Sequence, residues 1–147
     1  MPELATLADL RLDLVLDGEL VAAAGRMEDF YEVAPTLARR HHRMVSLTFA
    51  CFDVLHLAGH STLPLPYEDR RLLLARLELP PAACVVPSFA GCDSGELLSA
   101  CEMYGVEGVV LKKRGSLYTP GRRSTAWRKV KALGWKVEHS GRRRPQR

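Results

Sequence analysis

Several charged side chains stand inside otherwise apolar, strand-like segments, where each is costly to bury without a partner. Glu19 interrupts one such segment, and Glu107 opens another. In a third, Lys129 and Lys131 alternate with apolar residues, so a strand would place both on one face together with Trp127. A glutamate and two lysines that face one cleft would neutralise one another at rest and could hold Mg²⁺ and phosphates during a reaction. Each piece alone is more simply explained as the solvated face of an edge strand, so the inference depends on their joint occurrence.

The periodicity of the apolar residues predicts the strands and helices that would position these side chains. Strands are predicted over 12–21, 45–57, 84–89, 106–112 and 126–130, and helices over 28–40, 67–77 and 93–105. Gly18 marks a bulge or a close backbone approach in the first strand, and Pro35 shortens or kinks the first helix. Asp93 with Glu96 three residues later is a capping box that opens the last helix. This mixture predicts an α+β domain built on antiparallel sheet.

The composition is that of an ordinary globular protein. Of the 147 residues, 47% are hydrophobic and 26% are charged, which excludes general disorder. No apolar run is long enough for a membrane-spanning helix. The four cysteines form no CxxC pair and no dense disulfide framework, so free thiols and a cytoplasmic location are expected.

The net charge of +4 conceals a strong asymmetry. Residues 1–111 carry 8 Lys and Arg against 16 Asp and Glu, whereas residues 112–147 carry 13 against one. A basic block of this size is typical of segments that meet a polyanion such as nucleic acid or nucleotide phosphates. Apolar residues interleave the charges over 112–131, whereas residues 137–147 are predicted to form a disordered basic tail.

Four parts of the sequence, in this order and spacing, resemble motifs of the adenylation domain of ATP-dependent DNA ligases of the bacterial type. They are residues 15–21 (VLDGELV), residues 52–57 (FDVLHL) with 65–71 (LPYEDRR), residues 107–112 (EGVVLK), and residues 118–124 (YTPGRRS) leading into 127–131 (WRKVK). The resemblance covers about residues 12–133. It implies an antiparallel-sheet nucleotidyltransferase domain of the ATP-grasp-like kind.

The resemblance implies nucleotidyl transfer in three steps, with ATP and Mg²⁺ as cofactors and nicked or broken duplex DNA as the partner. An enzyme lysine attacks the α-phosphate of ATP and releases pyrophosphate. The AMP then passes to a 5′-phosphate of the DNA, and a 3′-hydroxyl displaces it as the nick is sealed.

By the same resemblance, Glu107 would bind the metal ion, and Glu19 would contact the ribose or the metal. Lys129 and Lys131 would hold the α-phosphate and act as the catalytic lysines. Phe52 would stack on the adenine, where a flat aromatic face suits a purine, while a plain core position is the alternative for this residue. Two further phosphate contacts are implied at Lys112 and Arg123.

The sequence departs from the family pattern in one respect that matters for the chemistry. The first motif, Lys-x-Asp-Gly, which supplies the nucleophile, occurs nowhere, and the first lysine is Lys112. Only 16 residues follow Lys131, too few for the family's oligonucleotide-binding barrel. Residues 1–136 are therefore expected to form the second half of an adenylation domain, whose missing half is encoded separately or lost. Exposed strand edges, poor solubility and self-association would follow.

Two other functions remain open at this stage. One is a related RNA ligase or capping-type nucleotidyltransferase, which shares the covalent lysine chemistry. The other is a non-catalytic remnant that binds nucleic acid through residues 112–131.

Overall fold

The computed structural model describes residues 2–22 and 47–134 of the chain. The chain forms two compact units, one from residues 1–87 with 114–123 and the other from residues 88–113 with 124–147. The helix predicted over 28–40 and the predicted tail lie outside the described residues. Among the helices of the described part, none is both long and apolar enough to cross a membrane.

Strand β2 (Leu47–Leu57) is the central strand of the first unit. It pairs antiparallel with β1 (Leu14–Ala22) over its whole length. Its other edge is shared by two short strands, β3 (His60–Ser61), which is antiparallel, and β4 (Ala83–Val85), which is parallel. The sheet therefore depends on β2, which contacts every other strand in it.

The strands predicted over 12–21 and 45–57 are confirmed as β1 and β2, but the strand predicted over 84–89 is shorter. The backbone N–H of Val86 still donates to the carbonyl oxygen of Cys51 at 2.8 Å. Pro87 follows, and because proline has no N–H the ladder cannot continue through it. The sheet is otherwise antiparallel, as the sequence predicted. The parallel pairing of β4 with β2 was not predicted.

Helix α1 (Tyr67–Ala75) packs its apolar face on this sheet. It begins directly after Pro66, the N-cap residue, whose carbonyl oxygen accepts from the backbone N–H of Arg70 at 3.1 Å. Its Leu74 is fully buried with Cys51 and Val54 of β2. Partly buried leucines surround this core, namely Leu7, Leu14, Leu16, Leu57, Leu73, Leu77 and Leu79. The helix predicted over 67–77 is thus confirmed, although it ends two residues earlier.

A fully buried ion pair joins α1 to β2. The Nε and Nη2 atoms of Arg70 lie 2.8 and 3.0 Å from the two carboxylate oxygens of Asp53, and both side chains are 0% exposed. The Nη1 atom donates to the carbonyl oxygens of Leu65 and Ser116, at 2.6 and 3.3 Å. One guanidinium therefore holds together β2, the residues before α1 and the segment 114–123.

The pairing of β1 with β2 contains two irregularities, at which Leu55 and Phe52 have no opposite residue in β1. These are β-bulges, which bend a strand and redirect its side chains. Beside the second bulge, Gly18 lies so close to β2 that a Cβ atom there would stand 2.6 Å from the carbonyl oxygen of Ala50. The sequence predicted a bulge or a close approach at Gly18, and the structure has both.

The second unit contains helix α2 (Ser94–Met103) and the antiparallel pair of β5 (Gly108–Lys112) and β6 (Trp127–Lys131). The Asp93 carboxylate caps α2, accepting from the backbone N–H of Glu96 at 3.2 Å, as the capping box predicts. The predicted helix and both predicted strands are confirmed, with ends shifted by one or two residues.

Large apolar side chains of the second unit lie open to solvent. Val110 and Leu111 of β5 are 51% and 40% exposed, and Met103 and Tyr104 at the end of α2 are 72% and 75% exposed. Apolar exposure of this kind was expected from the sequence, while self-association of the chain stays a prediction.

Replacing Arg70 by Met is expected to lower the free energy of unfolding by about 3–5 kcal/mol, because the Asp53 carboxylate would stay buried without its counter-charge. The matched control is Arg76→Met, which removes an exposed arginine at the end of α1 and should change stability by less than about 0.5 kcal/mol. Urea denaturation measures both. A loss of about 1 kcal/mol or less for Arg70→Met, as for a solvent-exposed pair, would contradict this view of the buried pair.

Candidate functional site

Glu107, Lys129 and Lys131 meet in the second unit and form what we call the Glu107 cluster. The two carboxylate oxygens of Glu107 accept separately, one from Lys129 Nζ at 2.6 Å and the other from Lys131 Nζ at 2.8 Å. Both lysines reach one carboxylate because residues two apart on β6 share a face of the strand. The sequence-based prediction that these three side chains come together is therefore correct in this unit.

The electrostatics of the cluster favour an ionised glutamate. Burial raises the pKa of the Glu107 carboxyl, but hydrogen bonds and charge from Lys129 and Lys131 outweigh burial and bring that pKa below its ordinary value of 4.5. All three side chains keep contact with water, with exposed fractions of 33%, 54% and 44% in the order Glu107, Lys129, Lys131. The cluster thus holds one negative and two positive charges that a ligand can reach.

Gly108 permits the close approach of strands that builds this cluster. Its φ is +148°, a backbone conformation that L side chains rarely adopt. A Cβ atom at this position would collide with the carbonyl oxygen of Val130 and stand 2.7 Å from the Cα of Lys131. The Glu107 carbonyl oxygen accepts from the N–H of Ala132 at 3.0 Å. The carboxylate is therefore presented by a strand junction that only glycine fits.

Lys112 and Trp127 lie opposite each other at the far end of the β5–β6 pair. The Nζ atom of Lys112 stands 3.7 Å from the centre of the indole ring, a cation–π arrangement. Lys112 was expected to contact phosphate. The structure places it on the same strand pair as the Glu107 cluster, with its ammonium group over an aromatic face.

Glu19, Phe52 and Arg123 were predicted for the same site, and the structure places them in the first unit. Glu19 is an exposed residue of β1, opposite Ala50 of β2. Phe52 is half-buried at the second bulge of β2, and Arg123 is exposed at the end of the segment 114–123. The half-burial of Phe52 fits neither a fully packed core residue nor a fully free ring.

The bulge at Phe52 has a further contact from α1. The Nη1 atom of Arg71 donates to the Phe52 carbonyl oxygen at 3.3 Å, and its Nη2 atom donates to the Val86 carbonyl oxygen at 2.7 Å. The Nε atom of Arg71 is buried and has no hydrogen-bond partner among the described residues. One guanidinium therefore bridges β2 and the residue after β4.

Sequence reasoning missed a second contact that reaches the motif around Glu19. The hydroxyl of Tyr118 donates to Asp17 at 2.7 Å. Burial, the Asp17 hydrogen bond and the negative charges of Asp17 and Asp53 together raise the pKa of Tyr118 to about 12, against a smaller opposing effect of Arg70. The phenol is therefore a permanent donor, and it ties the segment 114–123 to β1.

A signal for part of this network was present in the sequence. Asp53 is the one acidic residue inside the long apolar run of β2, and a carboxylate in such a run needs a partner. Its partner is Arg70, 17 residues away. The periodicity of α1 does not show which of its charged residues faces the sheet. The contact of Asp17 with Tyr118 spans 101 residues and leaves no local trace.

Comparison with known proteins identifies related sequences. Residues 2–131 match the family described as "ATP dependent DNA ligase domain". The chain is similar to the multifunctional non-homologous end joining protein LigD of Mycobacterium bovis, with 32% identity over 96% of this chain and 19% of the relative. It is also similar to a probable DNA ligase of a Nocardioides species, with 40% identity over 81% of this chain and 24% of the relative.

Solved structures are similar as well. The ligase domain of Mycobacterium tuberculosis LigD has a TM-score of 0.71 and 33% identity, and the match covers 88% of this chain and 42% of that one. A mycobacterial DNA ligase D complexed with ATP and MES has a TM-score of 0.69 and 34% identity, with the same coverage. The likeness confirms the predicted α+β nucleotidyltransferase fold. The chain spans less than half of these solved domains and 19–24% of the two curated relatives.

Replacing Lys129 by Met is expected to raise the pKa of Glu107 relative to the unmodified chain, because one hydrogen bond and one positive charge would be lost. The stabilisation from this cluster is complete above pH 4.5 and is lost as the pH falls through the depressed pKa of Glu107. In the variant the loss begins at the same unfolded-state pKa but is complete at a higher pH, so the cluster contributes less to stability. Carboxyl ¹³C chemical shifts followed against pH measure the change.

The matched control for this titration is Arg128→Met, one residue earlier on β6 and therefore on the opposite face of the strand. Equal shifts of the Glu107 pKa in the two variants would mean that the pKa depends on the net positive charge of β6 and not on the hydrogen bond from Lys129.

Proposed function

Because the chain belongs to the family of ATP-dependent DNA ligase domains, we propose that it contributes part of the ATP and phosphate site of such a ligase. The reaction would be transfer of AMP from ATP to a lysine, then to a DNA 5′-phosphate, and finally its displacement by a 3′-hydroxyl. The observation that carries this proposal is the Glu107 cluster, in which one carboxylate holds two lysines at hydrogen-bonding distance.

The cluster has the charges that an incoming nucleotide triphosphate requires. Lys129 and Lys131 would turn from Glu107 to the α-phosphate and stabilise the negative charge that develops there when the nucleophile attacks. The exposed fractions of both lysines leave this exchange sterically open. The pKa of Glu107 is depressed only while Lys129 and Lys131 contact its carboxylate, so another cation would have to replace them there when they move to the phosphate.

The donor chemistry of Glu107 also fits Mg²⁺. This ion prefers hard oxygen ligands and usually takes one or two protein carboxylates, with phosphate oxygens and water completing its coordination. Glu107 would be one such carboxylate, and the exposed Glu19 of the first unit is proposed as a ligand of the metal or of the ribose. Bound Mg²⁺ would neutralise phosphate charge.

The remaining predicted residues keep their proposed roles. Phe52 would stack on the adenine, which its half-buried position at a bulge supports. Arg123 is exposed and would contact phosphate, as would Lys112 if its ammonium group left the face of Trp127.

The nucleophile of the first step is proposed to come from outside the 147 residues, since these contain no Lys-x-Asp-Gly sequence. It would lie in another segment of the same protein or in a separate chain. In that step the lysine nitrogen forms a bond to the α-phosphorus, and the bond to pyrophosphate breaks. Among the described residues, Lys129 and Lys131 would bind the α-phosphate during this step.

DNA is the proposed polyanionic partner, and exposed arginines support this assignment. Arg122 and Arg123 are both exposed, next to each other in the chain. The strongly positive balance of residues 112–147 supports the same partner. A relative that ligates RNA would share this chemistry, and sealing of nicked DNA compared with nicked RNA distinguishes the two.

The chain is expected to support AMP transfer when ATP, Mg²⁺ and a polypeptide carrying Lys-x-Asp-Gly are added. Intact mass spectrometry should find the AMP adduct on that polypeptide. Lys131→Met should slow its formation by roughly 10²–10³-fold, as for loss of a group that stabilises transition-state charge. Arg128→Met on the same strand should leave the rate unchanged. An adduct formed equally fast with Lys131→Met, or with the chain omitted, would overturn the proposed role of the cluster.

Binding of duplex DNA is expected to weaken steeply with salt, with the logarithm of the association constant falling by roughly 0.9 for each phosphate neutralised per unit of log salt. Fluorescence anisotropy with a labelled nicked duplex, measured over a series of salt concentrations, gives the slope. A flat response would contradict the electrostatic assignment. DNA binding with the expected slope but no AMP transfer would favour the non-catalytic alternative.

A further inference from the structure

The bulge at Phe52 is held from several directions by side chains that the proposed chemistry does not use. Asp53, the next residue, is fixed by the buried Arg70. The Phe52 carbonyl oxygen accepts from Arg71, and the close contact at Gly18 fixes the strand on the opposite side. An irregular strand segment is thus over-determined at the one residue proposed to meet the nucleotide base.

Arg71 is the least expected of these contacts. The two adjacent arginines of α1 bind different groups. Arg70 contacts the Asp53 side chain, whereas Arg71 contacts the backbone of Phe52 and Val86. The buried Nε atom of Arg71 has no partner among the described residues, which costs free energy. Within the described part of the chain, Arg71 therefore leaves its Nε atom unbonded while its two Nη atoms hold the carbonyl oxygens of Phe52 and Val86 at a fixed separation.

We infer that Arg71 is a positioning residue for base recognition. Its guanidinium fixes the backbone of the Phe52 bulge against Val86, and this sets the plane of the Phe52 ring for stacking on a purine. The inference rests on the proposed role of Phe52 and adds the residue on which the orientation of that ring depends. Arg71 itself contacts no reacting group in this arrangement.

The position of the Phe52 ring is measurable without nucleotide. The chain contains four phenylalanines, so incorporation of 4-fluorophenylalanine gives four ¹⁹F resonances, and a Phe52→Leu variant identifies that of Phe52. Arg71→Met is expected to shift or broaden this resonance, while the resonance of the exposed Phe89 stays in place. Arg76→Met, the matched control at the end of the same helix, should move neither.

Two ligands then separate base recognition from phosphate binding. ATP with Mg²⁺ carries a base, and inorganic tripolyphosphate with Mg²⁺ does not. In the unmodified chain, ATP should shift the Phe52 resonance and tripolyphosphate should leave it nearly unchanged. Arg71→Met should raise the dissociation constant for ATP by roughly tenfold, as expected for a weakened base–aromatic stack, and leave that for tripolyphosphate unchanged.

Arg71→Lys guards against a simple folding defect. Lysine keeps the charge and most of the apolar stem, but its ammonium group cannot bridge two carbonyl oxygens in the planar geometry of a guanidinium. Thermal melting should show this variant folded, with the Phe52 resonance still displaced and ATP binding still weakened.

Each result decides between distinct outcomes. Unchanged Phe52 resonance and ATP affinity in both Arg71 variants would overturn the positioning role while leaving the proposed function intact. Equal weakening of ATP and tripolyphosphate would also overturn it, since Arg71 would then act on phosphate or on the fold as a whole. If tripolyphosphate binds but ATP does not perturb Phe52 in the unmodified chain, the proposed stacking role of Phe52 itself fails.

Discussion

The first unit depends on one interaction, the buried pair of Asp53 and Arg70. Removing two charges from water costs several kcal/mol for each ion, and only tight geometry with further hydrogen bonds offsets this. The structure meets that condition, because Arg70 makes two bonds to the carboxylate and two more to carbonyl oxygens. The centres of the Tyr67 and Tyr118 rings lie 5.7 and 5.6 Å from the guanidinium carbon. A group so costly to bury fixes its neighbours, since any displacement leaves charge unpaired.

The second bulge of β2 lies directly beside that pair. Phe52 is bulged immediately before Asp53, and Asp17 stands opposite Asp53 in the register of β1 with β2. In a regular strand Phe52 would have an opposite residue in β1, and its side chain would follow the normal alternation between the two faces of the sheet. The two arginines of α1 hold this bulge, Arg70 through the Asp53 carboxylate and Arg71 through the Phe52 carbonyl oxygen.

The sequence was sufficient for most of the elements, although not for β3 (His60–Ser61), and for one half of the candidate site. Alternation of apolar and polar residues predicted β1, and the richness of β2 in β-branched and aromatic residues predicted that strand. The same alternation placed Lys129 and Lys131 on one face, and their partner Glu107 was among the predicted residues. What it could not supply was pairing between distant elements. The parallel partner of β4, the bulge at Phe52 and the bond of Tyr118 to Asp17 all depend on which strands and loops meet, and local periodicity carries no information about that.

The return of residues 114–123 to the first unit determines when that unit can fold. The chain leaves this unit at residue 87, builds part of the second, and comes back before leaving again. Tyr118 and Asp17 are 101 residues apart, and Ser116 bonds Arg70 across 46 residues, so the loop-closure entropy is large. During synthesis, Asp53 and Arg70 emerge well before the carbonyl oxygen of Ser116 that completes the shell of the guanidinium. The first unit therefore reaches its full set of contacts only after residues 88–113 of the second have left the ribosome, and a chain cut at residue 87 would lack the segment that completes it.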